Sequence, residues 1–202
     1  MFTEKFQAWV RATAQRLVRT LPINRVNPNA LTLAGLVITC IAAVLIGTGL
    51  LLAGGIVLLL AAAFDILDGA VARATNHVRK YGAFLDSTTD RYAESATYLA
   101  LLTYFLFHHA SPLISLAVMV SLEGSLLVSY VRARAQSLGF ACEGGLFARP
   151  ERVILTVIGL VIPYILVGVV VFLAVATNVT AIQRIVIVWK QDRAHLVAEN
   201  DQ

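Results

Sequence analysis

Apolar segments of bilayer-crossing length follow one another along most of the 202 residues, and they restrict the fold more than any other feature. A hydrocarbon core about 30 Å thick takes roughly 20 apolar residues of α-helix to cross. Lipid offers the backbone no hydrogen-bond partners, so a helix that satisfies its own N–H and C=O groups is the natural solution. The segments fall at about 29–48, 51–74, 82–108, 111–136, 149–162 extended by the residues before it, and 164–188. With 58% hydrophobic and 14% charged residues, little remains for a domain outside the membrane. The sequence therefore predicts an all-α, polytopic bundle of six transmembrane helices in one membrane domain, 1–202. Residues 29–188 form the bundle and 189–202 a cytoplasmic tail.

Residues 1–28 read differently. Phe2, Phe6, Val10, Leu17 and Leu21 recur at helical spacing opposite Lys5, Arg11, Gln15 and Arg19, as in an amphipathic helix lying on an anionic leaflet with Trp9 near the headgroups. Pro22 and Pro28 then break the helix ahead of the first span. No short apolar region with a small-residue cleavage site precedes the bundle, so a cleaved signal peptide is not expected.

The distribution of charge gives an orientation. Turns at Gly47-Thr48-Gly49, at His108-His109 with Pro112, and at Pro163 contain no Lys or Arg. Basic residues gather instead in the N-terminal segment, from Arg73 to Lys80, from Arg132 to Arg152 and from Arg184 to Arg193. By the positive-inside rule both termini and these loops face the cytoplasm of a multi-pass cell-membrane protein. The net charge of +4 is then a signal of orientation and of anionic lipid, with no basic groove and interleaved aromatics that would suit nucleic acid. Cys40 and Cys142 offer neither a disulfide framework nor metal-ligand spacing. Asn178-Val179-Thr180 fits a glycosylation sequon but lies in an apolar run, out of reach of the modifying enzyme.

Four carboxylates stand against this apolar background. An aspartate within a transmembrane helix costs about 2.5–3.5 kcal/mol on insertion scales, so it calls for a functional reason. Asp65 and Asp68 lie three apart near the cytoplasmic end of the second span, and Asp86 and Asp90 four apart near the start of the third. Either spacing puts a pair on one helical face. The connection from Thr75 to Tyr81 is short, which makes the two helices antiparallel neighbours and lets the pairs meet at similar depth. Four converging negative charges repel strongly unless neutralised, and two divalent cations would balance them. Hard oxygen ligands suit Mg²⁺ or Mn²⁺, and a two-metal site is a known clamp for a phosphoryl centre. Pairing with Arg73, Arg79, Lys80 and Arg91 would be the plain alternative. Gly69, Ala72 and Gly82 strip side chains from the wall beside the acids, so a bulky substrate group can approach the backbone. Arg73 is suited to a bidentate contact with phosphate.

Asp65-x-x-Asp68-Gly69-x-x-Ala72-Arg73, eight further residues, then Gly82-x-x-x-Asp86-x-x-x-Asp90 resembles the complete signature of the CDP-alcohol phosphatidyltransferase family, with eight fixed positions over 26 residues. The resemblance implies a homodimer with a dinuclear metal site, moving a phosphatidyl group from a CDP-linked lipid such as CDP-diacylglycerol to an alcohol and releasing CMP. It implies that Asp65, Asp68 and Asp86 bind metal, and that Asp90 is both a ligand and the catalytic general base. It further implies that Gly69, Ala72, Arg73 and Gly82 line the CDP-lipid site. Asn29 and Thr32 resemble the family's first-helix contact to the nucleotide; an ordinary helix N-cap at the membrane surface would explain them equally simply.

A second basic cluster bears on the acceptor. Ser129, Arg132, Arg149 and Arg152 fall at the cytoplasmic ends of the fourth and fifth spans, and Arg184 in the sixth adds to them. As orientation markers alone they would need no fixed positions. Several arginines near a metal site point to an anionic acceptor, a sugar or polyol phosphate. The stretch Ser129-Tyr130-Val131-Arg132-Ala133-Arg134 with Arg149-Pro150-Glu151-Arg152 resembles the phosphatidylinositol phosphate synthases of actinobacteria, which have lysine where this chain has Arg132. That implies inositol phosphate as acceptor, with glycerol 3-phosphate, giving phosphatidylglycerol phosphate, as runner-up.

An ion or metal transporter would also carry intramembrane carboxylates. Here the acids cluster at one membrane side, with neither a broken helix pair at the midplane nor an internal repeat. Glu94 continues the Asp86-Asp90 stripe and can pair with Arg91 at i,i+3; Glu123, deep in the fourth span, receives no role.

Overall fold

The computed structural model describes residues 27–74, 80–109, 111–142 and 144–200, without the side chains of 68–70, 72–74 and 195–200. The expected interfacial helix therefore lies outside the described residues. These form six α-helices: α1 (Pro28–Gly47), α2 (Leu51–Ala74), α3 (Lys80–Phe107), α4 (Pro112–Ser137), α5 (Arg149–Val161) and α6 (Leu166–Asn200), the last entered through a 3-10 turn at Pro163–Ile165. By length and apolar composition, α1, α4 and the stretch Pro163–Ala194 can each cross a membrane, and Leu51–Leu67 supplies a shorter apolar helix. The helices divide into two compact units, Met1–Ala100 and Leu101–Gln202.

In the first unit, α1 packs along α2. Pro28 stands in the first turn of α1, where its missing N–H is not needed, and the side chain of Asn27 caps the helix by accepting from the Asn29 N–H at 3.0 Å. The helix ends in a Schellman motif: Leu50 N–H donates to Leu45 O at 2.9 Å and Gly49 N–H to Ile46 O at 3.0 Å. Gly49 takes the positive φ of 89° that this turn requires. Thr39, Ala42 and Ile46 form the buried face of α1. Against it Gly54 of α2 leaves so little room that a Cβ there would stand 3.1 Å from Ile46 N and 3.2 Å from Ala42 O.

The second unit is built on α4 against α6. Between helices in lipid, close backbone approach and interhelical hydrogen bonds take over from the hydrophobic effect. Gly124 of α4 faces Thr177 and Asn178 of α6, and a Cβ there would come within 2.6 Å of Asn178 Nδ2 and collide with Thr177 Oγ1. Asn178 Nδ2 donates across to Val120 O at 3.1 Å, and Ser121 Oγ to Val170 O at 3.2 Å. Buried hydroxyls elsewhere fold back onto their own helix four residues earlier, as Thr177 does on Leu173 O and Thr180 on Ala176 O, so no water is required.

Two boundaries differ from expectation. The fifth segment gains nothing from the residues before it: α5 begins at Arg149 with Ala148 as N-cap and Pro150 in its first turn, and its 13 residues are about 20 Å long. Residues 138–142 and 144–148 instead belong to a loop that leaves α4 through a second Schellman motif, Phe140 N–H to Ala135 O and Gly139 N–H to Gln136 O. At the other end α6 continues through the segment read as a tail, as far as Asn200.

Candidate active site and metal centre

Three of the four predicted carboxylates come together. Asp65 on α2 and Asp86 and Asp90 on α3 each offer an oxygen lying within 4.8 Å of the others, and all three residues are half-buried. Like charges at 4.8 Å repel by about 3.5 kcal/mol per pair at an effective dielectric of 20. Oxygens on opposite sides of an Mg²⁺ ion lie about 4.2 Å apart, twice the usual bond length, so this cluster is close to the span of a single ion's shell. Hard carboxylate oxygens from two helices, at that spacing, fit a divalent cation. Asp68 shares α2 with Asp65, but its side chain, with those of Ala72 and Arg73, is not described, and neither are the surroundings of Gly69.

Arg91 borders the cluster. Its Nη2 is 3.5 Å from Asp90 Oδ2, and its Nε is 3.9 Å from Glu94 Oε2, the expected i,i+3 pair, with Glu94 buried. One guanidinium thus ties the last aspartate to the next acid along the helix.

The glycine predicted to open the wall meets the asparagine predicted to contact nucleotide: a Cβ on Gly82 would stand 3.3 Å from Asn29 Oδ1. Asn29 is therefore not the cap of α1. That role belongs to Asn27, and the Asn29 carboxamide oxygen sits beside the α3 backbone. Thr32 Oγ1 donates to Pro28 O at 3.2 Å in the same turn.

The five acceptor-side residues all lie in the second unit. Arg184 is buried on α6, its Nη1 donating to Val128 O at 2.5 Å and its Nε to Gly144 O at 2.9 Å. Arg132 of α4 and Arg152 of α5 are close enough for their charges to act on that of Arg184. Arg152 is only 1% exposed, with Nη1 donating to Phe147 O at 3.2 Å, whereas Arg132 is exposed. Ser129 lies one turn before Arg132 and donates to Ser125 O at 3.3 Å. Arg149 opens α5, half-buried. Like-charged guanidinium groups drawn from three helices, two of them buried, repel one another, and an anion among them would offset that repulsion.

The family model for CDP-alcohol phosphatidyltransferase matches residues 25–190. The chain belongs to this family. It is an enzyme, a metal-dependent CDP-alcohol phosphatidyltransferase of the membrane. A phosphatidylinositol phosphate synthase of Corynebacterium glutamicum is 38% identical over 178 residues, covering 84% of this chain and 81% of its own. Among solved structures, the phosphatidylinositol phosphate synthase of Mycobacterium tuberculosis with CDP-DAG bound superposes with a TM-score of 0.81 at 32% identity, covering 87% of this chain and 93% of that one. The same enzyme in complex with manganese and citrate gives a TM-score of 0.81 at 32% identity, covering 87% and 88%. The rival reading as a transporter falls away with the family match.

Proposed function

We propose that the chain transfers the phosphatidyl group of CDP-diacylglycerol to a hydroxyl of an inositol phosphate, releasing CMP. The observation that carries the acceptor is the grouping of Arg132 and Arg152 about Arg184, with the phosphatidylinositol phosphate synthases among its relatives in support. Ser129 and Arg149 complete the acceptor-phosphate site. Two carbonyls orient the Arg184 guanidinium, which leaves its Nη2 for the phosphate.

Asp65, Asp68, Asp86 and Asp90 would hold two divalent cations, Mg²⁺ or Mn²⁺, which when bound supply charge neutralisation and Lewis-acid polarisation of phosphoryl oxygens. Asn29, Thr32, Gly69, Ala72, Arg73 and Gly82 bind the CDP moiety, with Arg73 on the pyrophosphate. Asp90 removes the proton from the acceptor hydroxyl. The freed oxygen attacks the lipid-side phosphorus, the pyrophosphate bond breaks, and CMP departs with the electron pair.

The same reading makes the chain a single multi-pass membrane domain of six spans and a homodimer, with an interfacial helix at residues 1–28. Both termini and the active site face the cytoplasm, as the placement of lysines and arginines supports.

Purified enzyme with CDP-diacylglycerol and Mg²⁺ or Mn²⁺ should release CMP when given inositol phosphate. Turnover with glycerol 3-phosphate alone would overturn the inositol assignment and leave the phosphate site standing. Turnover with unphosphorylated inositol alone would remove the arginines from the acceptor site.

A further inference from the structure

Between α4 and α5 the chain passes along a single stripe of α6, and Gln191 grips it at two points. Gln191 Nε2 donates to Ala141 O at 2.6 Å, and Ala141 N–H donates back to Gln191 Oε1 at 3.1 Å. One carboxamide thus satisfies both backbone groups of one residue, as a neighbouring strand would. Two helical turns earlier on the same face, Arg184 Nε donates to Gly144 O. Ile187 and Thr180 complete the stripe. A Cβ on Gly144 would stand 3.0 Å from Ile187 Cδ1, and one on Gly145, at φ +139°, would stand 2.9 Å from Thr180 Cγ2. Cys142, between the two anchor points, is fully buried. The loop is seated on α6, and four residues after Gly145 it delivers Arg149 into the first turn of α5.

We propose that Gln191 is a positioning residue for the acceptor site: its two-point clamp on Ala141 fixes the loop that sets where Arg149 and Arg152 stand. The inference rests on the assignment of those arginines to the acceptor phosphate. Both of these hydrogen bonds go to the backbone of Ala141, so their loss acts through the loop. The Gln191→Ala variant loses both hydrogen bonds. Gln191→Glu can still accept from the Ala141 N–H but cannot donate to its carbonyl.

The test pairs hydrogen exchange with kinetics on the full-length enzyme. In Gln191→Ala, amide exchange over 139–148 should accelerate while α4 and the spanning part of α6 keep their protection. The acceptor KM should rise about tenfold, the effect of losing two hydrogen bonds of modest net strength, with the CDP-diacylglycerol KM unchanged. Gln191→Glu should fall between, and Asp192→Asn, one residue along, should change neither readout. Unchanged exchange over 139–148 overturns the clamp. Faster exchange with an unmoved acceptor KM overturns the positioning role, as does an equal rise in both KM values. Wild-type enzyme that uses only unphosphorylated alcohols overturns the acceptor assignment instead, and the exchange result then still decides the clamp.

Discussion

Gly82 of α3 and Asn29 of α1 stand so close that a single added methyl group would press on the asparagine, at 3.3 Å from Oδ1. Glycine within a helix is about 1 kcal/mol less favourable than alanine, a gain that the press on Asn29 would offset in part. The close approach of Asn29 accounts for the glycine, and under the proposed function the same bare backbone faces the CDP moiety.

Stability and activity should therefore separate in Gly82→Ala. Thermal stability is expected to hold or rise slightly, while kcat/KM for CDP-diacylglycerol falls by about tenfold, roughly 1.4 kcal/mol of lost transition-state binding. A thermal melt in detergent beside a CMP-release assay checks both. Equal activity in the variant would remove Gly82 from the nucleotide site.

Asp65→Asn and Asp86→Asn should each abolish transfer, by about a hundredfold or more, because each takes a charged ligand from a cluster whose oxygens lie within 4.8 Å of one another. Stability carries the sharper test. Added Mn²⁺ should raise the wild-type melting temperature by mass action and leave the variants nearly unmoved. Equal stabilisation of wild type and variants by Mn²⁺ would place its binding elsewhere.

Much of this arrangement is legible in the amino-acid sequence. Proline and glycine punctuate the segments, so the ends of α1 and α4 fall within a residue or two of expectation, and the i,i+4 spacing of Asp86 and Asp90 by itself places both on one face. Less legible is the fifth segment. Leu138, Phe140, Leu146 and Phe147 prolong its apolar run, while local backbone signals, Gly139 and then Pro150, decide that a loop intervenes. With Asn27 and Asn29 flanking Pro28, only the proline's place in the first turn shows which of them caps the helix. Gln191 carries no sequence signal at all, since its partner Ala141 is 50 residues away.

The α4–α6 contact should respond to volume. Gly124→Leu drives a side chain into Thr177 and Asn178 and breaks the hydrogen bond from Asn178 to Val120, so a destabilisation of about 2–3 kcal/mol is expected. Gly168→Ala on α6 is the matched control, since nothing lies within 4 Å of its added Cβ. Its melting temperature should not fall. Equal behaviour of the two variants would mean that α4 and α6 do not pack at Gly124.

The acceptor arginines are best separated by their burial. Arg152 is 1% exposed and donates to Phe147 O, so Arg152→Ala removes a buried side chain together with its hydrogen bond and mixes folding with binding. Arg132 is exposed, and its truncation carries no such penalty. Charge-assisted contacts to phosphate are about twice as strong as neutral ones. Arg132→Ala should therefore raise the acceptor KM by about tenfold, or roughly 1.4 kcal/mol, with melting temperature and CDP-diacylglycerol KM unchanged. Arg132→Lys keeps the positive charge but loses the forked geometry, so it should recover most of the affinity if one phosphate oxygen is held and little if two are. Steady-state kinetics with each substrate varied in turn reads out both variants. A rise in the KM for CDP-diacylglycerol instead would assign Arg132 to the donor and leave the acceptor phosphate to Arg149, Arg152 and Arg184.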